Sequence, residues 1–383
     1  MNIPTTARRL PFVAAAIFVL LIGMWAGLLR MGWNWPGVPV MAMVYHGPLM
    51  IGGFLGTLLG LERAVAMRRA WAYGAPLLSA AGGISLLAGF DPRCGQWLLF
   101  GASLLLLAVF ARLIVQQPIL FLIVMGLGAA AWLMGNIVWL RYQIVPLAVP
   151  SWIAFLILTI VGERLELTRL LPRTRWRMPT FVGALAVYAA GPIVGLWFHG
   201  LGWVTAGAGM IALAAWLVKF DLARRTIHQQ GLTRFVAASL LCGYCWLAIG
   251  GALAVLHVGV LPALHGHAWL HWGPGSGMPY DSIVHALLLG FVFAMIFGHA
   301  PIIFGAVLSL QMQYRPRFYA HLALLQLSVL LRIVCDLSGW LAGRNWAGVL
   351  NALAILLFIG QTISTVRVRQ SMRSNAPAAK SVA

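Results

Sequence analysis

Charged residues are scarce in this sequence. Only 9% of its 383 residues are Asp, Glu, Lys or Arg, and only seven are acidic. Soluble domains carry about 25%, so a soluble fold is excluded. Cysteine is scarce too. Of four in the chain, Cys94 falls in a predicted outer loop and the others within apolar runs, which excludes a disulfide framework. Short segments of alternating hydrophobicity, the mark of a membrane β-barrel, are missing. What fills the chain is apolar: 62% of residues are hydrophobic, in recurring runs of about twenty. Each run is long enough to cross ~30 Å of hydrocarbon as a helix. The fold class implied is an all-α polytopic membrane protein with about 12 transmembrane helices.

The spans fall near 11–31, 38–61, 71–90, 96–115, 119–139, 144–162, 179–198, 202–218, 234–258, 281–308, 318–340 and 345–366. With both termini cytoplasmic, 21 of the 26 basic residues lie in inner segments. The outer loops hold one each, Arg30, Arg93, Arg141 and Arg344, and Arg332 lies inside the eleventh span. One missed helix would invert every later loop, so the split supports both the count and the orientation. It also explains the net charge of +19 without nucleic acid, because the basic residues cap spans rather than form a domain. Residues 1–370 read as a single transmembrane domain. Arg8-Arg9 and the apolar stretch after them are retained as the first span. Residues 371–383 read as a short, disordered cytoplasmic tail.

A weak repeat runs through spans two, six and ten. His46 and His285 are each followed by Leu at the third position (Leu49, Leu288) and Phe at the eighth (Phe54, Phe293). Span two ends in Leu61-Glu62-Arg63 and span six in Gly162-Glu163-Arg164. The spacing of four spans suggests three quasi-equivalent four-helix groups.

The two histidines carry most of the chemistry. An imidazole in hydrocarbon is costly, so it faces the bundle interior and has a partner. Neutral imidazole also ligates haem iron and copper. Spans two and ten run in the same direction. That puts His46 and His285 ~12 and ~6 Å below the outer boundary, close enough in depth to hold one iron from opposite faces. Gly47, Gly52, Gly53, Gly56, Ala286 and Gly290 beside them leave room for a macrocycle, or else allow close helix packing. The plainer alternative is two unrelated histidines bonded across helices.

Other groups are open to two readings. His299, four turns below His285, lies near the inner side at the depth of His321; the pair forms a second site or simply meets water and headgroups. His265, His267 and His271, with His257 nearby, have copper or zinc spacing, or form a solvated loop. Arg332 and Asp336 stand at i, i+4 and are expected to pair. They either pin helices or let Arg332 anchor an acidic cofactor group. Cys242-Gly243-Tyr244-Cys245 reads as small apolar packing before it reads as a dithiol. Glu163-Arg164-Leu165-Glu166 reads as a solvated helix end, and Met41, Met43 and Met50 as core filler.

The second span, Val44-Tyr45-His46-Gly47-Pro48-Leu49-Met50-Ile51-Gly52-Gly53-Phe54, resembles the second helix of NnrS-type membrane proteins. It is also similar to the haem-ligating second helix of haem-copper oxidase subunit I. The tenth, from His285-Ala286-Leu287 to His299, resembles the NnrS family's late His-Ala-Leu…Gly helix. The resemblance covers most of the chain as topology and is residue-specific only in these two spans. It implies a bacterial inner-membrane protein carrying b-type haem, with copper as a further cofactor, associated with nitric oxide and resistance to nitrosative stress. His46 and His285 would be haem ligands and His299 a lesser candidate. Arg332 would resemble the outer-side arginines that hold haem propionates. Two departures stand against a full match. Span six has no histidine and span seven only His199 past its end, so the oxidase copper triad is missing. The His-x-His-Glu start of the NnrS helix is reduced to Tyr45-His46-Gly47.

The expected partners are a diatomic ligand such as nitric oxide, membrane lipid and an unidentified electron donor. The main competing reading is a proton-coupled secondary transporter without haem. Twelve spans and buried His, Arg and Asp suit that class, though it predicts matched broken helices. A membrane subunit without chemistry is a third.

Overall fold

A computed structural model describes residues 5–37, 40–172, 174–265, 277–308 and 310–368. Among them, twelve helices are long and apolar enough to cross a membrane. They are α1 (Arg8–Arg30), α2 (His46–Met67), α3 (Ala70–Leu87), α4 (Pro92–Gln116), α5 (Leu120–Tyr142) and α6 (Val145–Leu170). The second half holds α7 (Arg177–Val194), α8 (His199–Phe220), α9 (Gly231–Leu264), α10 (Met278–Gly305), α11 (Phe318–Ser338) and α12 (Leu341–Thr365). The fold is all-α and polytopic, as the apolar runs require. The one departure is a three-residue antiparallel pairing of β1 (Leu310–Met312) with β2 (Val366–Val368). Residues 371–383, the expected tail, lie outside the described residues.

Consecutive helices pack against one another along the chain, and α12 and α10 return to α1. Arg9 ties this closure at the inner end by donating to the Val307 carbonyl at 2.8 Å. The helices that share the weak repeat, α2, α6 and α10, touch one another near the middle of the bundle. Their apolar windows are 61%, 72% and 67% buried, against 39% for α1. A helix apolar on every face belongs inside, and these three read that way.

Two of these central helices are not regular. Span two was expected to begin near 38. Instead a short helix, Val40–Val44, is separated from α2 by Tyr45 at φ −96°, ψ 19°. Pro48 follows and has no N–H to donate backwards. Leu49–Gly56 then runs as π-helix, as does Ala286–Phe293 in α10. Ser79 Oγ donates to the Gly52 carbonyl and Thr57 Oγ1 to that of Gly53, each at 2.6 Å. A third π segment, Val255–Val260, carries α9 on to Leu264 rather than ending it near 258.

The glycines of α2 and α10 serve packing, which corrects their reading as space for a macrocycle. A Cβ on Gly52 would stand 2.9 Å from Leu99 Cδ1, one on Gly53 3.1 Å from the Gly83 Cα, and one on Gly290 2.4 Å from Trp246 Cγ. Only Gly47 among them borders the cavity described next.

Candidate functional site

A cavity of about 920 Å3 lies in the half of the bundle that holds Arg30 and Arg344, the half whose few basic residues give it the reading of outer, walled by α1, α2, α6, α10, α11 and α12. His46 and His285 both line it. The expectation that they face one space is met. The deeper wall, one to two turns below each histidine, is apolar: Ile51, Leu55, Leu289 and Phe293. The outer end is polar and holds Arg30, Asp281, Arg332 and Arg344. Such a volume suits a cofactor-sized ligand.

Each imidazole is oriented through one nitrogen. His46 Nδ1 lies 2.7 Å from the carbonyl of Gly23 on α1. His285 Nδ1 lies 2.8 Å from the carbonyl of Asp281 and 3.2 Å from its Oδ1. A carbonyl only accepts, so in both rings Nδ1 carries the hydrogen, and in the neutral imidazole Nε2 keeps its lone pair. Metal-ligating histidines are held in this way by backbone or carboxylate oxygens. Span one supplies more than the carbonyl. A Cβ on Gly27 would fall 2.7 Å from His46 Cε1 and 2.9 Å from Nδ1, so the ring lies against a surface only glycine leaves free. Gly23 and Gly27 are one helical turn apart, a seat the sequence reading missed. Its signal was the Gly-x-x-x-Gly spacing opposite a buried histidine.

Arg332 was expected to pair with Asp336 along its own helix. That ion pair is present, at 4.0 Å, but it is not the closest one. The direct partner of Arg332 is Asp281 on α10, at 2.7 Å, while Asp336 takes Arg344 of α12, also at 2.7 Å. Arg344 reaches Asp281 as well, at 3.2 Å. Packing adds a closer partner to the i, i+4 pair, because a charge-assisted bond to Asp281 of α10 is available to Arg332 at 2.7 Å. Arg344, assigned from sequence only to an outer loop, is thus a member of the site. Arg30 contacts only the Met43 carbonyl, at 3.5 Å, and has no carboxylate partner among the described residues. Three arginines against two aspartates leave the outer end of the cavity with an excess positive charge.

The remaining candidates are placed elsewhere. His299 donates through Nδ1 to the Met295 carbonyl at 2.7 Å. His321 bonds Gln361 at 2.9 Å and is enclosed by Phe235, Phe297, Phe318 and Phe358. Ring contacts thus hold His321 in place, and among the described residues no hydrogen bond or ring contact joins it to His299. His265 Nδ1 lies 2.7 Å from the Leu261 carbonyl, while His267 and His271 lie outside the described residues. Among the described residues no group of three or more His, Cys, Asp or Glu is gathered for a bare metal ion. Cys242 and Cys245 are free thiols, and Gly243 and Tyr244 between them are buried.

At the inner end the repeated Glu-Arg pairs meet. Arg63 bonds Glu62 at 2.8 Å and also Glu163 of α6. Glu163, expected at a solvated helix end, instead joins two central helices.

Comparison with curated proteins finds no match for the chain. A family model described as Domain of unknown function (DUF8744) matches residues 9–367, and the chain belongs to that family.

Proposed function

We propose that this protein binds a b-type haem in the outer cavity and acts, in the manner of NnrS proteins, on nitric oxide or a related diatomic gas or in electron transfer. It would reside in a bacterial inner membrane with both termini cytoplasmic, as the basic inner segments imply. One observation carries the reading. Two histidines from different helices line one cavity, and each has Nδ1 committed to a carbonyl, which leaves Nε2 as the ligating nitrogen.

The rest of the cavity suits the same group. Its apolar wall excludes water from the ring, and Arg30, Arg332 and Arg344 match the carboxylates of a porphyrin edge. When bound, the haem supplies an iron that exchanges electrons or takes a gas ligand. The chain's own part is to hold the imidazoles, neutralise the propionates and keep the site dry. A copper ion would need ligands beyond these, given the absence of a three-ligand group among the described residues.

The test is an optical spectrum of purified protein, oxidised and reduced, with a pyridine haemochrome assay. Stoichiometric haem b is expected. A six-coordinate low-spin spectrum would assign both histidines to the iron and favour electron transfer. A spectrum that shifts with nitric oxide would favour gas handling. His46→Ala and His285→Ala should each deplete the haem, and an unchanged Soret band in both variants would sink the assignment.

The competing reading, proton-coupled transport, draws on a specific feature. The two histidine-bearing helices are both widened by π segments, and α2 is broken at Tyr45. Interrupted helices around a polar site are what transport requires. Colourless protein from haem-replete cells, with substrate uptake in proteoliposomes, would establish it instead.

A further inference from the structure

A second cavity, of about 570 Å3, lies at the opposite, inner end of the bundle, where α6 and α8 end and α7 begins. Arg177, Lys219, Arg224, Arg225 and His228 line it, and Asp221 is its only acid. None of the four permanent cations has an ion-pair partner among the described residues. Arg177 is buried while Lys219, Arg224 and Arg225 are exposed, and like charges gathered around one concavity repel one another unless an anion joins them.

The arrangement is built rather than incidental. Arg177 is buried, and its Nη1 donates to the carbonyls of Thr168 and Pro172, at 3.1 and 3.2 Å. Asp221 is also buried. Its Oδ1 accepts from the Ala223 N–H at 2.7 Å, a turn that leads into the short helix Ala223–Thr226 carrying Arg224 and Arg225. The one carboxylate present therefore fixes the arginine pair, and an excess of positive charge remains after it is counted. Guanidinium groups suit phosphate oxygens above other anions. The wall also includes Leu171 and Phe220, and the cavity sits at the ends of the apolar helices α6 and α8 and the start of α7, the level at which spanning helices meet lipid headgroups.

We propose that this inner cavity binds a phosphate-bearing anion, and that the phosphodiester of an anionic lipid headgroup is its occupant. The inference is independent of the haem reading. Basic pockets between helices at this height take acidic headgroups by the same chemistry. A free phosphate ion shares the recognition but not the acyl chains.

The test uses the full-length protein in a neutral detergent. Native mass spectrometry measures binding of dioleoyl-phosphatidylglycerol against dioleoyl-phosphatidylcholine, and calorimetry measures inorganic phosphate. The site variant K219Q/R224Q/R225Q is compared with R69Q/R112Q/R315Q, which removes the same charge from exposed positions at the same end. The expected result is retention of phosphatidylglycerol by the parent and the control, a loss of at least tenfold in the site variant, and no competition from phosphate. Phosphate that binds the parent, competes with the lipid and fails with the site variant would keep the anion site and assign it to a soluble source. Equal binding by all three proteins, or equal loss in the control, would overturn the site. If the triple variant does not fold, R225Q alone is expected to lose about fivefold, at roughly 1 kcal/mol per basic residue.

Discussion

The rings of Phe54 and Phe293 stack with centroids 6.1 Å apart and planes 26° from parallel. Each stands eight residues after its histidine, in the last turns of a π segment. The stack therefore locks α2 and α10 in one relative register, and with it the relative height of His46 and His285. Phe54→Ala is expected to cost about 3–5 kcal/mol, as deletion of a buried phenyl does. The double variant with Phe293→Ala should cost less than the sum of the singles by about 0.5–1.5 kcal/mol. Thermal unfolding in detergent reads both, and strict additivity would mean that the rings do not act as a pair.

Gly27 offers a test of the imidazole seat. A methyl group there overlaps the His46 ring, so Gly27→Ala should displace the ring and break its bond to the Gly23 carbonyl. If the cavity holds haem, the haem-to-protein ratio should fall while the protein still elutes as a folded species. Gly183→Ala in α7 meets nothing within 4 Å and should leave both readings unchanged. Equal haem content in the two variants would remove Gly27 from the site.

These two predictions mark how far the sequence could be read. The twelve spans were legible because apolar length and the bias of Arg and Lys are local signals. The shared position of His46 and His285 was legible because both helices run in one direction and 1.5 Å per residue fixes depth. The partners were not. Asp281 competes with Asp336 for Arg332 only after α10 and α11 have packed, and no spacing along one helix reports that. Gly27 and Gly23 are unremarkable in sequence, since apolar helices are full of glycine. Gly52, Gly53 and Gly290 misled for the same reason: a small residue permits either a cavity or a close neighbour, and here it is the neighbour.

The outer ion cluster should respond in graded fashion. Asp336 has a fully buried side chain, whereas that of Asp281 is 22% exposed. Removing one member of a buried ion pair costs about 3–5 kcal/mol, because the other charge stays buried alone. Asp336→Asn is expected at the lower end of that range, since Arg344 loses its closest carboxylate and keeps only the 3.2 Å bond to Asp281. Asp281→Asn should cost less, because water reaches the site and Arg344 retains Asp336. Melting temperatures of the two variants test the order, and a larger loss for Asp281→Asn would show that its bonds to Arg332 and Arg344 dominate the cluster.

Orientation is open to a direct chemical test, because the chain carries its own probe. Cys94 is an exposed free thiol in the first turn of α4. It sits beside Arg93, at the end of the bundle that holds few basic residues. Cys242, Cys245 and Cys335 lie within α9 and α11, where a bulky aqueous reagent has no access from either side. If the basic end faces the cytoplasm, a membrane-impermeant maleimide added to intact, outer-membrane-permeabilised cells should label the protein once, and Cys94→Ser should abolish the label. Labelling only after the inner membrane is opened would invert the topology. It would put His46, His285 and the arginine-rich mouth of the outer cavity on the cytoplasmic side, and the four-cation inner cavity outside.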